Sequence, residues 1–453
     1  EQKPPLKKLE NAPLVCIIGS GPAGLCCAVR LADHGYAPVI IERGGPVEER
    51  TAAVNTFFSE RKLDTNCNVQ FGEGGAGTFS DGKLNTQTKD GFNRDVLETF
   101  ARFGAPEEIL FLNKPHIGSD KLKDVLKNIR QYIISCGGKF LFNKLFNGFR
   151  AENGSLRAVT FRDVKTGEED ELEVSAAVLA LGHSARDTFR MLDKNGILME
   201  PRDFAVGVRI EHNAFEISRA QYGRFAKMLP AADYKLVSHA HERNVFTFCM
   251  CPGGVVIPAA SEEGGVVVNG MSDYARDAVN SNSALMVQMY RTDFGEGLFD
   301  GMEFQRRLEE KAFLAGGSDY RAPCQLFGDF LRDRVSQNFG SVAPTYAAGV
   351  KFAPLSEVLP QKAVEALKVA VPDMASRLKG FDCPDAVLTG VESRFSSPLR
   401  IVRGEDRQSV SLKNLYPCGE GSGYSGGITS SAADGIRTAE YIFNVHYSAG
   451  RYI

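Results

Sequence analysis

Apolar residues along this chain fall into two patterns: short continuous runs, and longer stretches in which they recur every three or four positions. Residues 14–18 (LVCII) form a short run that stops at Gly19. Leu25, Ala28, Val29, Leu31 and Ala32 then repeat at helical spacing as far as Gly35, and a second run, 38–41, stops at Glu42. The pattern predicts strand, glycine turn, helix, strand. Residues 121–136 predict a helix with Leu122, Val125, Leu126, Ile129, Ile133 and Ile134 inside, ended by Gly137-Gly138. A strand follows at 139–142, and then two alternating strands, 156–161 and 171–174, around a Lys165-Thr166-Gly167 turn. Residues 177–182 read as a buried strand ending in Gly182. Residues 350–381 read as largely helical, interrupted at Pro354, Pro360 and Pro372. Near the end, 415–420 predicts a strand closed by Glu420, and 428–443 a helix with Ala432, Ala433, Ile436, Ala439 and Ile442 on one face.

Glycine is concentrated where these elements join. The first cluster, Gly19-Ser20-Gly21-Pro22-Ala23-Gly24, sits between a strand and a helix, and Glu42 follows Gly24 by 18 residues at the end of the next strand. A dinucleotide site needs this order: a tight turn at Gly19, close pyrophosphate approach at Gly21, close helix packing at Gly24, and a carboxylate for ribose hydroxyls at Glu42. The helix start supplies unpaired N–H groups for the phosphates. The second cluster, residues 72–77 with Gly74, Gly75, Ala76 and Gly77, has the same spacing but lacks the flanking strand and helix. It reads as a loop lying against a ligand, with a mobile surface lid as the alternative. The third cluster, Gly419 to Gly427, joins strand to helix but has no second strand with a closing acid to complete the unit, leaving a helix-end anion site and a carboxylate, Glu420, for a polyol.

Composition narrows the class. The 453 residues are 43% hydrophobic and 24% charged, as in a globular protein of two or three domains. A net charge of −3 and the lack of a basic stripe speak against nucleic acid as a partner. No apolar run approaches the roughly 20 residues of a membrane span. Ten scattered cysteines, several in apolar segments, suggest reduced thiols and a cytoplasmic location. The polar opening EQKPPLKKLE without an initiator Met leads us to expect that an N-terminal segment has been lost. Oligomeric state leaves no trace in the sequence.

An early dinucleotide unit paired with a terminal acid–glycine–helix element resembles flavoproteins of the glutathione-reductase-like superfamily. The resemblance implies an α/β fold: a Rossmann-type FAD-binding domain, 1–202 with 386–453, and an inserted α+β substrate or cap domain, 203–385. It implies non-covalent FAD, with Gly19, Ser20, Gly21, Pro22, Ala23, Gly24, Glu42 and Arg43 at the ADP half. Gly74, Gly75, Ala76 and Gly77 would lie against the cofactor, Gly182 near it, Gly419 and Glu420 at the ribityl chain, and the Gly426, Gly427 and Ile428 amides at the flavin pyrimidine edge. Five strings resemble a narrower group, the bacterial NAD(FAD)-utilizing or FAD-dependent dehydrogenases. They are GGAGTFSDGKL (74–84), LGHSARD (181–187), DFAVGVR (203–209), TFCMCPGG (247–254) and ESRFSSP (392–398). That group implies redox chemistry without naming a substrate.

Four residues are candidates for the chemistry. His183, behind a strand ending in Gly182, suits proton delivery, with Arg186 close by; a capping or hydrogen-bonding role is the alternative. Lys83 and Arg394, with Arg400, are the cations expected near flavin or an anionic substrate. Cys251 pairs with Cys249 in a C-x-C; in an extended strand the two lie about 6.7 Å apart on one face, too far for an easy disulfide. No residue cluster has metal-ligand spacing, so no metal is expected. The one complete fingerprint goes to FAD, so either NAD(P)H would bind transiently over the flavin or the substrate itself would supply the electrons. The expected function is therefore a dehydrogenase moving hydride between FAD and a small organic substrate. A reductase of carbon–carbon double bonds, a flavin-bearing RNA-modification or redox-sensing protein, and a plain NAD-dependent dehydrogenase stand as alternatives.

Overall fold

The computed structural model describes residues 12–86 and 88–448, so the expectation about the N-terminal opening lies outside the described residues. Strand β1 (Val15–Ile18), helix α1 (Pro22–Asp33) and strand β2 (Val39–Ile41) follow one another as the pattern predicts, and a helix not read from the sequence, α2 (Val47–Glu60), comes next. Strand β3 (Lys139–Leu141) completes the near edge of a five-stranded parallel sheet in the order Leu415–Pro417, Ala176–Leu179, β1, β2, β3. Ile17 stands opposite Val178 on one side and Ile40 on the other. Parallel strands are covered on both faces, which is why these read as unbroken apolar runs. One face packs on α1, the helix Ser119–Ser135 and the C-terminal helix Ile428–Ser448. The other carries an antiparallel meander, Lys144–Glu152, Ser155–Asp163 and Glu169–Glu173, whose Phe146, Val159 and Phe161 meet Ile18 and Leu179.

The second lobe is a seven-stranded, mainly antiparallel sheet in the order Val237–Ser238, Val245–Cys251, Asn280–Met289, Phe204–Asn213, Val387–Glu392, Ala322–Leu326, Val350–Phe352. Val206, Val208 and Ile210 share a core with Val364, Leu367 and Val371 of the helix Gln361–Ala375.

Three expectations need correction. Residues 350–352 are an edge strand, paired in parallel with Ala322–Cys324, not helix. Pro372 lies inside the helix Gln361–Ala375, in its last turn; it withholds one N–H from the Lys368 carbonyl a turn back but does not end the helix. Strand Val387–Glu392, which a boundary at 386 leaves to the first lobe, pairs with Phe204–Asn213 in the second lobe's sheet.

Candidate functional site

The three glycine clusters meet. A Cβ on Gly19 (φ +101°) would stand 2.2 Å from the Ala180 carbonyl oxygen, and one on Gly24 would stand 2.0 Å from Gly19 O. Both contacts hold the turn close to the sheet and to α1. That helix starts at Pro22 behind Gly21, and no side chain caps it, so its first-turn amides face outward. The second cluster lies directly on this turn. Gly74 N donates to Ser20 O at 2.8 Å, and a Cβ on Gly75 would be 2.9 Å from Gly21 Cα. Gly77 abuts Ile428, the first residue of the C-terminal helix. Pro22, Cys26, Gly74, Gly77, Leu126 and Ile428 line one small apolar hollow where the first two clusters meet the start of the C-terminal helix.

The second cluster is a fixed loop rather than a lid. Phe71, Gly72, Glu73 and Gly74 are buried. Arg50, fully buried on α2, donates to the carbonyl oxygens of Asn68 (2.9 Å), Val69 (2.8 Å) and Glu73 (2.6 Å) and to Thr78 Oγ1 (3.1 Å). Burial holds the Arg50 pKa down to about 10, which leaves the guanidinium charged at neutral pH.

Glu42 differs from expectation. Its Oε2 accepts from Ser20 N (2.9 Å) and Ser20 Oγ (2.7 Å), and its Oε1 from Gly44 N (2.9 Å) and Gly72 N (3.0 Å). A carboxylate offers about four acceptor positions, and all are taken by the protein. Glu42 is thus a tie between the first turn, its own strand end and the second loop; a ribose hydroxyl has to displace one of these donors. Arg43, also expected at the cofactor, donates to Asp187 Oδ1 (2.6 Å) and Thr188 Oγ1 (3.3 Å) and stacks 4.3 Å from the Phe71 ring.

At the other end, His183 and Glu420 come together, with Nδ1 3.5 Å from Oε1. His183 Nε2 is buried and has no partner. Side-chain positions at Gly182, Gly426 and Gly427 open on free space, while Gly421 packs on the Gly182 backbone. Gly426 N donates to Ser430 Oγ at 3.3 Å, which uses one of the three amides expected to face a ligand. Asp434 fixes this turn: it accepts from Gly419 N (2.8 Å), from Arg403 (2.9 Å) and from Arg407. Burial raises the Asp434 pKa, but the two guanidiniums outweigh it and hold the carboxyl at about 2.

Lys83 and Cys251 share another neighbourhood. Lys83 Nζ sits 2.8 Å from Asp81 Oδ2 and donates to the Met250 carbonyl, between the two cysteines; Arg276 donates to Asp81 Oδ1 at 2.8 Å. The cysteines do not share a face. A bulge at residues 248–251, with Cys249 at φ +39°, leaves Cys249 exposed and Cys251 buried. Cys251 Sγ donates to Cys249 O at 3.3 Å, and burial pushes its thiol pKa up, against thiolate chemistry. Arg394 is also placed otherwise than expected. It is buried and committed to Glu309 (3.0 and 3.1 Å), Ser261 (2.5 Å) and Glu262 (3.3 Å), in a cluster that Arg186 joins through Glu309 at 2.9 Å. Among the described residues no group of His, Cys, Asp and Glu is placed to hold a metal ion, and no helix is long and apolar enough to cross a membrane.

The sequence reading missed Arg50, Asp434 and the Asp81–Arg276 pair. Arg50 had a signal: Val47, Arg50, Val54 and Phe57 fall on one helical stripe, so an arginine occupies a core position. Asp434 lies on the predicted terminal helix beside core alanines, but its three partners are remote in sequence or undistinguished in type.

Residues 203–395 match the family described as FAD-dependent protein, C-terminal domain-like, and residues 17–47 match the NAD(P)-binding Rossmann-like domain. A protein of Clostridium beijerinckii (strain ATCC 51743 / NCIMB 8052), described as an uncharacterized protein, is 47% identical over 431 residues, covering 94% of this chain and 80% of the relative. Among solved structures, the glycerol-3-phosphate dehydrogenase from Bacillus halodurans complexed with FAD is 10% identical, with a TM-score of 0.42. That alignment covers 98% of this chain and 66% of the dehydrogenase. Quinol fumarate reductase of E. coli is 11% identical, with a TM-score of 0.40, covering 97% of this chain and 71% of the reductase.

Proposed function

This chain belongs to the same family as the uncharacterized Clostridium beijerinckii protein and carries an FAD-dependent-protein C-terminal region and an NAD(P)-binding Rossmann-like region; we propose that it is a dehydrogenase that moves hydride between FAD and a small organic substrate, with NAD(P)H as transient donor or acceptor. The observation that carries this reading is the direct contact of the three glycine clusters: Gly74 N donates to Ser20 O, Gly77 abuts Ile428, and a Cβ on Gly419 would stand 2.7 Å from Ala23 Cβ. The uncapped start of α1 and the start of the C-terminal helix both reach this junction.

The residues fit FAD. The N–H groups of Ala23 and Gly24 at the uncapped start of α1 suit the pyrophosphate, and the second loop closes over it at backbone distance because Gly74, Gly75 and Gly77 carry no side chain. Open space at Gly182, Gly426 and Gly427 suits a flat ring approaching backbone. Glu420 offers a carboxylate to the ribityl hydroxyls. When bound, FAD supplies a ring that exchanges hydride with a substrate. Beside it, Glu420 orients His183 through Nδ1, so the unpartnered Nε2 is the atom that holds or delivers a proton. Lys83, held by Asp81, contributes positive charge next to Cys251. Arg394 belongs to the support of the site rather than to its chemistry.

An absorption spectrum of the purified chain, before and after anaerobic NADH or NADPH, tests the reading. We expect a flavin band that one of the nucleotides bleaches. A protein without a flavin band after soaking with FAD overturns the proposal. A band that neither nucleotide bleaches removes NAD(P)H from it.

A further inference from the structure

Two arginines beside the C-terminal glycine turn lack the carboxylates that their neighbours have. Arg400 is the middle residue of the strand Leu399–Ile401, which pairs with Met199–Pro201, and Arg202 directly follows that second strand. Both reach the same residue of the turn. Arg202 donates through Nη1 to the Gly423 carbonyl, and a Cβ on Gly423 would stand 2.9 Å from Arg400 Cα and 3.1 Å from its Cβ. The Arg400 guanidinium lies 5.1 Å over the Tyr424 ring, and its Nε is buried without a hydrogen-bond partner.

The carboxylates within reach are turned elsewhere. Glu200, directly across the ladder from Arg400, makes no ion pair with it among the described residues. Asp203 accepts from Arg291 N at 3.1 Å. On the other side of Tyr424 the arrangement is the opposite: Arg403, 3.9 Å from the ring, and Arg407 share Asp434. So one arginine pair at this turn shares a buried carboxylate, whereas Arg202 and Arg400 make no ion pair among the described residues. Burial together with the Arg400 charge lowers the pKa of Arg202, against an opposing pull from Tyr424 and Asp203. An anion held by both guanidiniums offsets their repulsion. Guanidiniums present forked donors that match carboxylate and phosphate oxygens two at a time.

We infer that Arg202 and Arg400 form an oxyanion-binding site at the edge of the 419–427 turn, taking the carboxylate or phosphate group of the molecule that meets the flavin. The inference rests on the proposed function for the identity of that turn. It narrows the substrate to an acidic molecule and gives the turn a second duty, that of holding the substrate's charged end.

The test uses the full chain loaded with FAD. Thermal unfolding is followed during titration with sodium phosphate or sodium succinate, against sodium chloride at matched ionic strength. We expect a saturable rise in Tm with one of the two anions. Phosphate would point to a phosphorylated ligand and succinate to a carboxylic acid. Arg400→Gln and Arg202→Gln should each weaken the effect about tenfold or more, the cost of losing one charge-assisted pair. Arg400→Lys, which keeps the charge but not the fork, should fall between. No rise beyond chloride with either anion overturns the site, as does a rise that Arg202→Gln and Arg400→Lys leave unchanged; those two variants decide the matter if Arg400→Gln does not fold. The flavin band of the starting material reports separately on the cofactor reading, so failure of one is distinguishable from failure of the other.

Discussion

At the residue scale, Glu42 does a job that its position hides. Its four hydrogen bonds bind the first glycine turn to the loop that covers it. Glu42→Gln keeps the shape but presents an NH2 group to two donors that need an acceptor. Each buried donor so stranded costs about 1–3 kcal/mol. The variant should therefore unfold at a lower temperature even without FAD, as differential scanning calorimetry of the apo-protein would show; an unchanged apo transition would return Glu42 to a purely ligand-facing role. The close backbone contacts of the glycines at 19 and 24 were legible because they follow from spacing within one local unit. The partners of Glu42 and Arg394 were not, because hydrogen bonds between segments 30 and 85 residues apart leave no periodic trace.

At the element scale, the loop 72–77 is a backbone insert whose stability depends on pH through Glu73. This side chain is fully buried; one oxygen accepts from Val47 N at 2.7 Å and Arg130 at 3.1 Å, while the other has no partner. Burial raises its pKa to about 7. The folded chain thus keeps a proton that the unfolded chain has lost above the ordinary glutamate value near 4.5. Stability from this group is present at low pH and falls as pH rises from about 4.5 to about 7. Glu73→Gln should flatten that part of a Tm-against-pH curve; an equally steep curve in the variant would assign the slope to other groups. Elements built on unbroken apolar runs, such as β1 and Ala176–Leu179, were readable from the chain. The three-residue strand Val350–Phe352 was not, since its identity comes from pairing with Ala322–Cys324 rather than from its own pattern. The bulge at Cys249 is likewise set by register between strands.

At the scale of the whole molecule, a buried ion cluster fastens one lobe to the other. Arg186, three residues past His183, meets Glu309 of the helix Asp300–Gly316, and Arg394 completes the group. Burial raises the Glu309 pKa, but the two arginines outweigh it and hold the carboxyl at about 2, so this stability persists at neutral pH and fades only as pH falls below about 4.5 towards 2. Glu309→Gln removes the buried carboxylate shared by Arg186 and Arg394, leaving the part-exposed Glu262 as their remaining counterion, and should cost about 3 kcal/mol. Urea unfolding would register it as a lower midpoint, and a midpoint equal to the parent's would mean that the cluster does not hold the lobes together. The two-lobe plan was legible from the split glycine clusters, but the strand Val387–Glu392 crosses the expected border because its partners, not its composition, decide its sheet. The chain path has one more consequence. Strand Ala176–Leu179 receives its outer neighbour, Leu415–Pro417, and α1 its partner helix, Ile428–Ser448, only after the whole second lobe has been made. On the ribosome the first lobe therefore waits, with one sheet edge and one apolar helix face uncovered, while more than half of the chain is still to emerge. Its completion has to wait for the second lobe, and the nascent chain has most need of chaperone shelter during that interval.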